Sequence, residues 1–423
     1  MEDAIQDLNG VPIALLSSRW DAANHAHLEY GWKQRQFSTF LHWRDIDGDG
    51  QVLYAIRALQ RVIHEVSDTS FILDDAGNRE ISILHISDLQ FGGFDSTNLS
   101  ERTEINAYNI RERCGDRPPD FVVVTGDITE RALPSEFEAA GNWLKSFMSQ
   151  VGIPEKHQAA RLLTVPGNHD VSAYLAAAGR CILDGQKKST RLVKNGEETP
   201  ATELSEYAFA PFKSFHKQHC DRDFLPSPGL ENGLPWVEDR FRHIGVVFYG
   251  INTAQPADTG FLPAREVCPK SLTAIRSRIK ERQNTNNVRR VTTIGLGHHC
   301  PIGKDGDKSV TNPDHFTSHL STPTKTHIFL HGHWHQYEIV KETAGGSHFV
   351  RSCAQTMNKE AGSRPEDTLR GYNILHLERD NDGNINRLRG VSVNHLGNEF
   401  VPTPEKKFVW SSAKGGFVDD PES

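Results

Sequence analysis

Five short apolar runs between residues 81 and 330 each end in a cluster of polar side chains. Ile81 to Ile86 precedes Ser-Asp-Leu-Gln, Phe121 to Val124 precedes Thr-Gly-Asp, Leu162 to Val165 precedes Pro-Gly-Asn-His-Asp, Val291 to Ile294 precedes Gly-Leu-Gly-His-His, and His327 to Leu330 precedes His-Gly-His-Trp-His. Runs of this length, rich in β-branched residues, are typical of buried strands. Because ligands of α/β sheets gather at the carboxyl ends of strands, the five clusters predict a functional site.

Further segments complete an α/β domain that we expect over residues 81–395. Helices are predicted at Glu136 to Gln150 and Leu272 to Arg282, and strands at Val246 to Tyr249, Phe349 to Ser352, Tyr372 to Leu377 and Ile385 to Val393. Residues 171–240 are rich in Lys, Glu, His and Pro and contain a predicted helix at Glu203 to His219, so we interpret them as a helical insertion near the site. Residues 396–423 are predicted to be a loosely held C-terminal tail.

The first 80 residues differ from the rest and are predicted to be an N-terminal extension or small accessory module. Apolar residues spaced three or four apart predict one buried helix face, made of Leu53, Ile56, Leu59, Ile63 and Val66. The preceding Asp45-Ile-Asp-Gly-Asp-Gly50 copies half of a calcium-binding loop, but Ile56 replaces the bidentate Glu. We therefore favour an acidic turn over a calcium site. This module could bind a protein partner or act as a sensor.

Composition narrows the class of protein. Lys and Arg number 47 against 55 Asp and Glu, a net charge of −8, so a non-specific nucleic-acid binder is disfavoured. No apolar stretch approaches the ~20 residues that a bilayer requires, and we expect no membrane contact. The six cysteines form no Cys-x-x-Cys pair, which favours reduced thiols in the cytoplasm.

The polar clusters contain oxygen and imidazole donors suited to divalent cations. Carboxylate, amide and imidazole groups together suit Mn²⁺, Fe or Zn²⁺, and at least seven candidate ligands are too many for one tetrahedral ion. We therefore predict two divalent metal ions. Such a pair, about 3.5 to 4 Å apart, needs a shared carboxylate and clamps a phosphoryl group. Asp127 is the natural bridge.

The order Asp-x-Gln, Gly-Asp, Gly-Asn-His-Asp, Gly-His-His and Gly-His-x-His resembles the calcineurin-like metallophosphoesterases over roughly residues 81–395. The resemblance implies a four-layer sandwich in which two mixed sheets are flanked by helices. It also implies the metal ligands, and of these Asp88, Gln90, Asp127 and His335 would hold the first ion. Asn168, His298 and His333 would hold the second, which Asp127 also bridges. A shifted register would make His299 the ligand in place of His298.

The same resemblance implies the catalytic groups. His169 would face the phosphate and protonate the leaving oxygen, with a carboxylate such as Asp170 behind it. The nucleophile would be a hydroxide that bridges the metals. His85 and His331 are expected to be packed or supporting histidines, whereas Trp334 could stack on a base or pack against the insertion.

One residue departs from the family pattern, which has His where this chain has Gln90. An amide oxygen is a harder and weaker donor than imidazole, so we predict a loosely held first ion and a preference for Mn²⁺, although Fe or Zn²⁺ also suit the donors. Gln90 also resembles the manganese-dependent ADP-ribose and CDP-alcohol diphosphatases of this superfamily. We therefore expect a phosphodiesterase or pyrophosphatase acting on nucleotides or their conjugates.

Two alternatives stay open. The first is a metal-dependent DNA nuclease, for which the compact basic run at Lys187, Lys188, Arg191 and Lys194 would form a groove. The second is a non-catalytic binding scaffold on the same fold, which the presence of His169 disfavours.

Overall fold

The computed structural model describes residues 80–92, 103–172, 175, 208–225, 233–254, 265–283, 290–302, 310–321, 325–344, 346–357, 370–396 and 399–421. All of them belong to one compact unit that begins at Arg79. The predicted N-terminal module, its helix and its acidic loop lie outside the described residues, as does the basic run at 187–194.

Fourteen strands, six α-helices and one 3₁₀-helix, Arg240–Ile244, lie in the part of the chain that the structure describes. The strands are β1 Glu80–Ile86, β2 Phe121–Thr125, β3 Leu162–Val165, β4 Trp236–Glu238, β5 Val246–Gly250, β6 Thr292–Leu296, β7 Thr326–His331, β8 Glu338–Ala344, β9 Ser347–Cys353, β10 Arg370–Arg379, β11 Ile385–Leu396, β12 Glu399–Pro402, β13 Lys406–Ser411 and β14 Gly416–Asp419. The helices are α1 Thr103–Arg113, α2 Pro134–Gln150, α3 Glu155–Arg161, α4 Ala210–His219, α5 Pro269–Gln283 and α6 Pro313–Ser321.

The strands form two mixed sheets. The first has eight strands in the order β14-β13-β11-β10-β1-β2-β3, with β12 added beside β11. The second has six strands in the order β4-β5-β6-β7-β9-β8. Strands β1 to β3 are mutually parallel, as are β5, β6, β7 and β9, so each sheet gathers several carboxyl ends at one edge.

The two sheets pack face to face, with helices on their outer sides. Between the sheets, the ring of Phe121 from β2 contacts Phe248 from β5 at a centroid distance of 4.8 Å. On the outer side of the first sheet, Leu84 and Val124 share a core with Phe137 and Leu144 of α2. Successive side chains of a strand point to opposite faces of the sheet. Each buried strand therefore contributes side chains both to the core between the sheets and to the core under the helices. The predicted sandwich of two mixed sheets flanked by helices is thus confirmed.

The core strands and the two long helices lie where their apolar patterns predicted them, whereas helix α1 was not predicted. Its buried side includes the polar residues Thr103 and Asn106, and the Trp143 indole donates to Thr103 Oγ1 at 2.9 Å. Polar residues on a buried face erase the amphipathic pattern on which a helix prediction depends.

Two predicted boundaries need correction. The expected tail from residue 396 instead contains β12 and β13, which both pair antiparallel with β11, and β14, which pairs antiparallel with β13 and extends the first sheet. The predicted insertion reaches to residue 240, yet β4 within it pairs with β5 in the second sheet. The insertion's helix is present as α4. Within the described residues, we find no helix with the length and apolar character that crossing a membrane would require.

Candidate metal centre

Each polar cluster lies directly after the strand that its apolar run predicted, and together the clusters gather the candidate residues at one edge. Asp88 and Gln90 follow β1, Asp127 follows β2, Asn168, His169 and Asp170 follow β3, His298 and His299 follow β6, and His333 and His335 follow β7. Side chains from both sheets therefore meet, and hydrogen bonds join the five loops to one another.

Five candidate ligands adopt a left-handed backbone, which is uncommon for residues other than glycine. The φ angles are 55° at Asp88, 47° at Gln90, 50° at Asp127, 68° at His333 and 53° at His335. Hydrogen bonds between loops hold two of them in place, since Asp88 N–H donates to Gly126 O at 3.1 Å and Gln90 N–H to Asp127 O at 2.9 Å. Such strain clusters at functional sites, where surrounding contacts maintain it.

Glycines allow the loops to approach one another closely. A Cβ on Gly126, whose φ is 86°, would lie 2.7 Å from His298 Nδ1. A Cβ on Gly167 would lie 2.2 Å from Asp127 Oδ1. The Gly-Asp and Gly-Asn-His-Asp motifs thus require glycine because backbone occupies the space that a side chain would need.

One half of the site is built around Asp88, which is fully buried. His335 Nε2 lies 2.7 Å from Asp88 Oδ1, and the backbone N–H of His333 donates to Asp88 Oδ2 at 3.3 Å. Burial opposes ionisation of Asp88, but His335 and His298 outweigh it and hold its pKa below the usual range. Gln90, in the same loop as Asp88, is also buried. This half therefore presents an ionised carboxylate to imidazole.

The other half is built around His298. Its Nε2 lies 3.1 Å from Asn168 Oδ1 and 3.3 Å from Asp127 Oδ2, while Nδ1–H donates to Thr125 O at 2.7 Å. Because the hydrogen on Nδ1 is bound to the Thr125 carbonyl, Nε2 is the ring nitrogen that can bind a cation. Burial opposes protonation of His298, but Asp127 and Asp88 raise its pKa to about 9.

The donor atoms fit divalent cations. One atom each from Asp88, Asp127 and His298 lies within 4.8 Å of the others, and the same holds for His298, His299 and His333. Burial and then the charge of His298 lower the pKa of His333 to about 4, which keeps that imidazole in the neutral form a metal requires. These two clusters thus bring together four of the predicted ligands, Asp88, Asp127, His298 and His333, as oxygen and nitrogen donors.

His169 lies at the mouth of the site and retains about a third of its side-chain exposure, 36%. Its backbone N–H donates to Asp127 Oδ1 at 2.8 Å, and its Nδ1–H donates to Glu130 O at 2.9 Å. The Asp127 charge, against the effect of burial, raises the pKa of His169. The arrangement favours the protonated form and leaves Nε2 for a substrate.

The Asp170 carboxylate lies among groups of the loops after β2 and β3. Its carboxylate accepts hydrogen bonds from Ile128 N, Thr129 N, Thr129 Oγ1 and Gly167 N at 2.9 to 3.1 Å. It therefore ties the loop after β2 to the loop after β3. Glu130 contacts the His169 ring directly. Its carbonyl oxygen accepts the Nδ1–H of His169, and its carboxylate lies 3.9 Å from the same nitrogen.

The supporting histidines behave as expected. His85 contacts Ser352 Oγ and Thr125 Oγ1 through its two ring nitrogens, and His331 contacts Gly332 O and Arg351 Nη1. Both rings thus have protein partners on each nitrogen. Trp334 packs beside His331 and under the Arg351 guanidinium, which lies 4.9 Å from its ring centre.

Three contributors had no signal in the sequence. The carbonyls of Thr125 and Glu130 orient His298 and His169, and any residue type supplies a carbonyl. Arg351 lies in a strand, and its partners come from the neighbouring strand and loop.

The family model for calcineurin-like phosphoesterases matches residues 81–337, more than half of the chain. The chain therefore belongs to the calcineurin-like phosphoesterase family. It is a metal-dependent phosphoesterase whose family implies a divalent dimetal centre, and the donors gathered here could hold those ions.

The chain is also similar to solved structures. GAP50, the anchor in the inner membrane complex of Plasmodium, shares 11% identity over 80% of this chain and 91% of its own, with a TM-score of 0.44. A dimetal phosphatase from Danio rerio shares 12% identity over 76% and 98%, with a TM-score of 0.42. Vps29 from Entamoeba histolytica shares 10% over 78% and 100%, with a TM-score of 0.29. No curated protein sequence matches the chain.

Proposed function

We propose that this protein is a two-metal phosphodiesterase or pyrophosphatase that acts on nucleotides or nucleotide conjugates. The observation that carries the proposal is the position of Asp127. One donor atom of Asp127 lies within 4.8 Å of a donor atom of Asp88, in the first half, and of one of His298, in the second half. A carboxylate between the donors of both halves is what a bridged pair of cations requires.

The ligand assignment follows the two halves of the site. Asp88, Gln90, Asp127 and His335 would hold one cation, and Asp127, Asn168, His298 and His333 the other. The pair would polarise the phosphoryl group and supply a hydroxide nucleophile near neutral pH. Mn²⁺ is our favoured metal because Gln90 adds an oxygen donor where the family pattern has imidazole.

His169 is the proposed general acid. The Glu130 carbonyl fixes the Nδ1–H tautomer of the neutral ring, so the transferable proton is the one on Nε2. In the protonated ring, Nε2 can donate that proton to the leaving oxygen, and Nδ1–H remains hydrogen bonded throughout. Asp170 supports this geometry indirectly, by joining the loop that bears His169 to the loop that bears Asp127.

The nucleotide preference and the cellular compartment are further parts of the proposal. The Gln variant of the first motif resembles nucleotide-conjugate diphosphatases, which supports a nucleotide substrate. The five described cysteines are free thiols, which supports a reducing cytoplasm. A DNA nuclease is the alternative, and its candidate basic run lies outside the described residues.

The test is hydrolysis of bis(p-nitrophenyl) phosphate and p-nitrophenyl phosphate with Mn²⁺ added or chelated. We expect diester cleavage that requires Mn²⁺ and falls about 10² to 10⁴-fold in His169→Ala, because a general acid contributes that much. His315→Ala removes an exposed histidine from α6 and should leave the rate unchanged.

Natural substrates distinguish the alternatives. ADP-ribose, a CDP-alcohol and single-stranded DNA would be compared at equal phosphoester concentration. DNA as the best substrate would replace our proposal by the nuclease. No cleavage of any ester with any divalent metal would instead support the binding scaffold.

A further inference from the structure

His299 lies in the site beside two proposed ligands, His298 and His333. It is fully buried. Its ring centre lies 4.9 Å from that of His298 and 4.5 Å from that of His333. Its position in the site is therefore as deep as that of the ligand His298.

Thr253 determines which nitrogen of His299 carries the proton. The Thr253 hydroxyl oxygen accepts the backbone N–H of His298 at 3.2 Å and that of His299 at 3.0 Å. A hydroxyl has two acceptor lone pairs and one donor hydrogen, so both lone pairs are used. Its hydrogen is left for His299 Nδ1, which lies 3.0 Å away. Nδ1 therefore accepts, and the neutral ring carries its hydrogen on Nε2.

The neighbouring histidines thus have opposite tautomers. His298 donates from Nδ1 to Thr125 O, which leaves a lone pair on Nε2 for a cation. His299 accepts at Nδ1, which leaves an N–H on Nε2 that cannot bind a cation. This hydrogen-bond pattern assigns the ligand in the Gly-His-His motif to the first histidine.

The Nε2–H of His299 has no hydrogen-bond partner among the described residues, although it is buried. A buried donor without an acceptor is costly, so a native site supplies an acceptor when its ligand is bound. We infer that His299 donates Nε2–H to a phosphoryl oxygen of the substrate. The inference rests on the proposed function, because it requires a phosphoryl group held beside His298 and His333.

Two substitutions separate the donor from the rest of the side chain. In His299→Asn the amide reaches the position of Nδ1 and keeps the contact with Thr253, but the distal donor is lost. In His299→Gln the amide reaches the position of Nε2 and restores an N–H there. His315→Asn on the exposed side of α6 is the matched control.

The measurement is the affinity of inorganic phosphate for the Mn²⁺-loaded protein by calorimetry, with metal content determined by mass spectrometry. We expect His299→Asn to bind phosphate about 10- to 100-fold more weakly, His299→Gln to bind within a few-fold of the original protein, and both to keep two metal equivalents. KM for a diester should rise with the phosphate Kd.

Other outcomes overturn the inference. Loss of one metal equivalent in His299→Asn would make His299 a ligand. Equal weakening in both variants would make its role structural, and unchanged phosphate affinity in His299→Asn would mean that a water or nothing accepts the N–H. If the original protein binds neither metal nor phosphate, the proposed function fails together with the inference.

Discussion

Gln90 is the proposed oxygen ligand on which the predicted metal preference depends. It follows Asp88 by two positions, has a φ of 47° and is buried. We expect Gln90→His to tighten metal binding and to shift the preference from Mn²⁺ towards Zn²⁺, because imidazole is a softer and stronger donor than an amide oxygen.

Competitive titration with a chromophoric chelator would measure the Kd for each metal in the original protein and in Gln90→His. An increase in Zn²⁺ affinity of about tenfold or more, with a smaller change for Mn²⁺, is the expected result. Unchanged affinities and preference would mean that Gln90 does not bind a cation.

Backbone conformation restricts which residue types fit at several positions of the site. Asp127 and His333 occupy left-handed conformations, and Gly126 lies between the Gly167 backbone and His298. Five of the seven candidate ligands thus have a left-handed backbone, and hydrogen bonds between the loops offset that strain. The geometry of the donors is therefore determined before a cation binds.

At the scale of elements, the hairpin of β8 and β9 supports the loop that bears His333 and His335. Arg351 on β9 is fully buried and forms ion pairs with Glu338 at 2.7 Å and Glu342 at 2.9 Å, both on β8. The same guanidinium donates to His331 Nε2 at 3.2 Å. It also lies over the Trp334 ring, so strand pairing and ligand placement depend on one side chain.

Arg351→Met should lower the free energy of unfolding by about 3 to 5 kcal/mol, because it removes the buried cation that pairs with both Glu338 and Glu342. Lys341→Met, on the same hairpin, is the matched control. Lys341 pairs with the exposed Asp419, and surface pairs contribute only about 0 to 1 kcal/mol. Urea unfolding followed by circular dichroism would measure both, and similar losses in the two variants would contradict the prediction.

At the scale of the whole molecule, histidines outside the proposed ligand set are also buried, and burial favours their neutral form. Burial, then the nearby Arg222 charge, lowers the pKa of His216 to about 3. Burial and Arg290 do the same for His327, whose Nδ1 accepts the Thr293 N–H at 2.9 Å. Protonation of that nitrogen would remove a hydrogen bond between β6 and β7.

These shifts predict acid sensitivity. A histidine whose folded pKa lies below its unfolded value of about 6.5 contributes stability above pH 6.5 and loses it as the pH falls towards 3. Each such group should reduce the free energy of unfolding by about 1.4 kcal/mol per pH unit in that window. Urea unfolding of metal-free protein at pH 7, 6 and 5 would measure the slope.

His327→Gln is the variant that assigns part of this slope to one residue. We expect a pH dependence that is shallower by about 1.4 kcal/mol per unit, while His315→Gln, at an exposed position, should keep the original slope. A slope unchanged in His327→Gln would show that this ring is not a neutral buried group.

The sequence by itself determined the buried strands and the order of their polar ends. Both are local features: β-branched runs such as Phe121 to Val124 and motifs such as Gly126-Asp127 are readable wherever they occur. The exposed edge strand β12 and the polar-faced helix α1 were missed, because neither buries a periodic apolar face.

Only the tertiary structure decided how the candidate side chains are oriented. Thr125 and His298 are distant in the chain, as are Thr253 and His299, yet these pairs set which ring nitrogen carries a proton. The same holds for the Glu130 carbonyl behind His169. Contacts of this kind join backbone groups and hydroxyls from separate loops, and such groups leave no pattern in the sequence because almost any residue type can supply them.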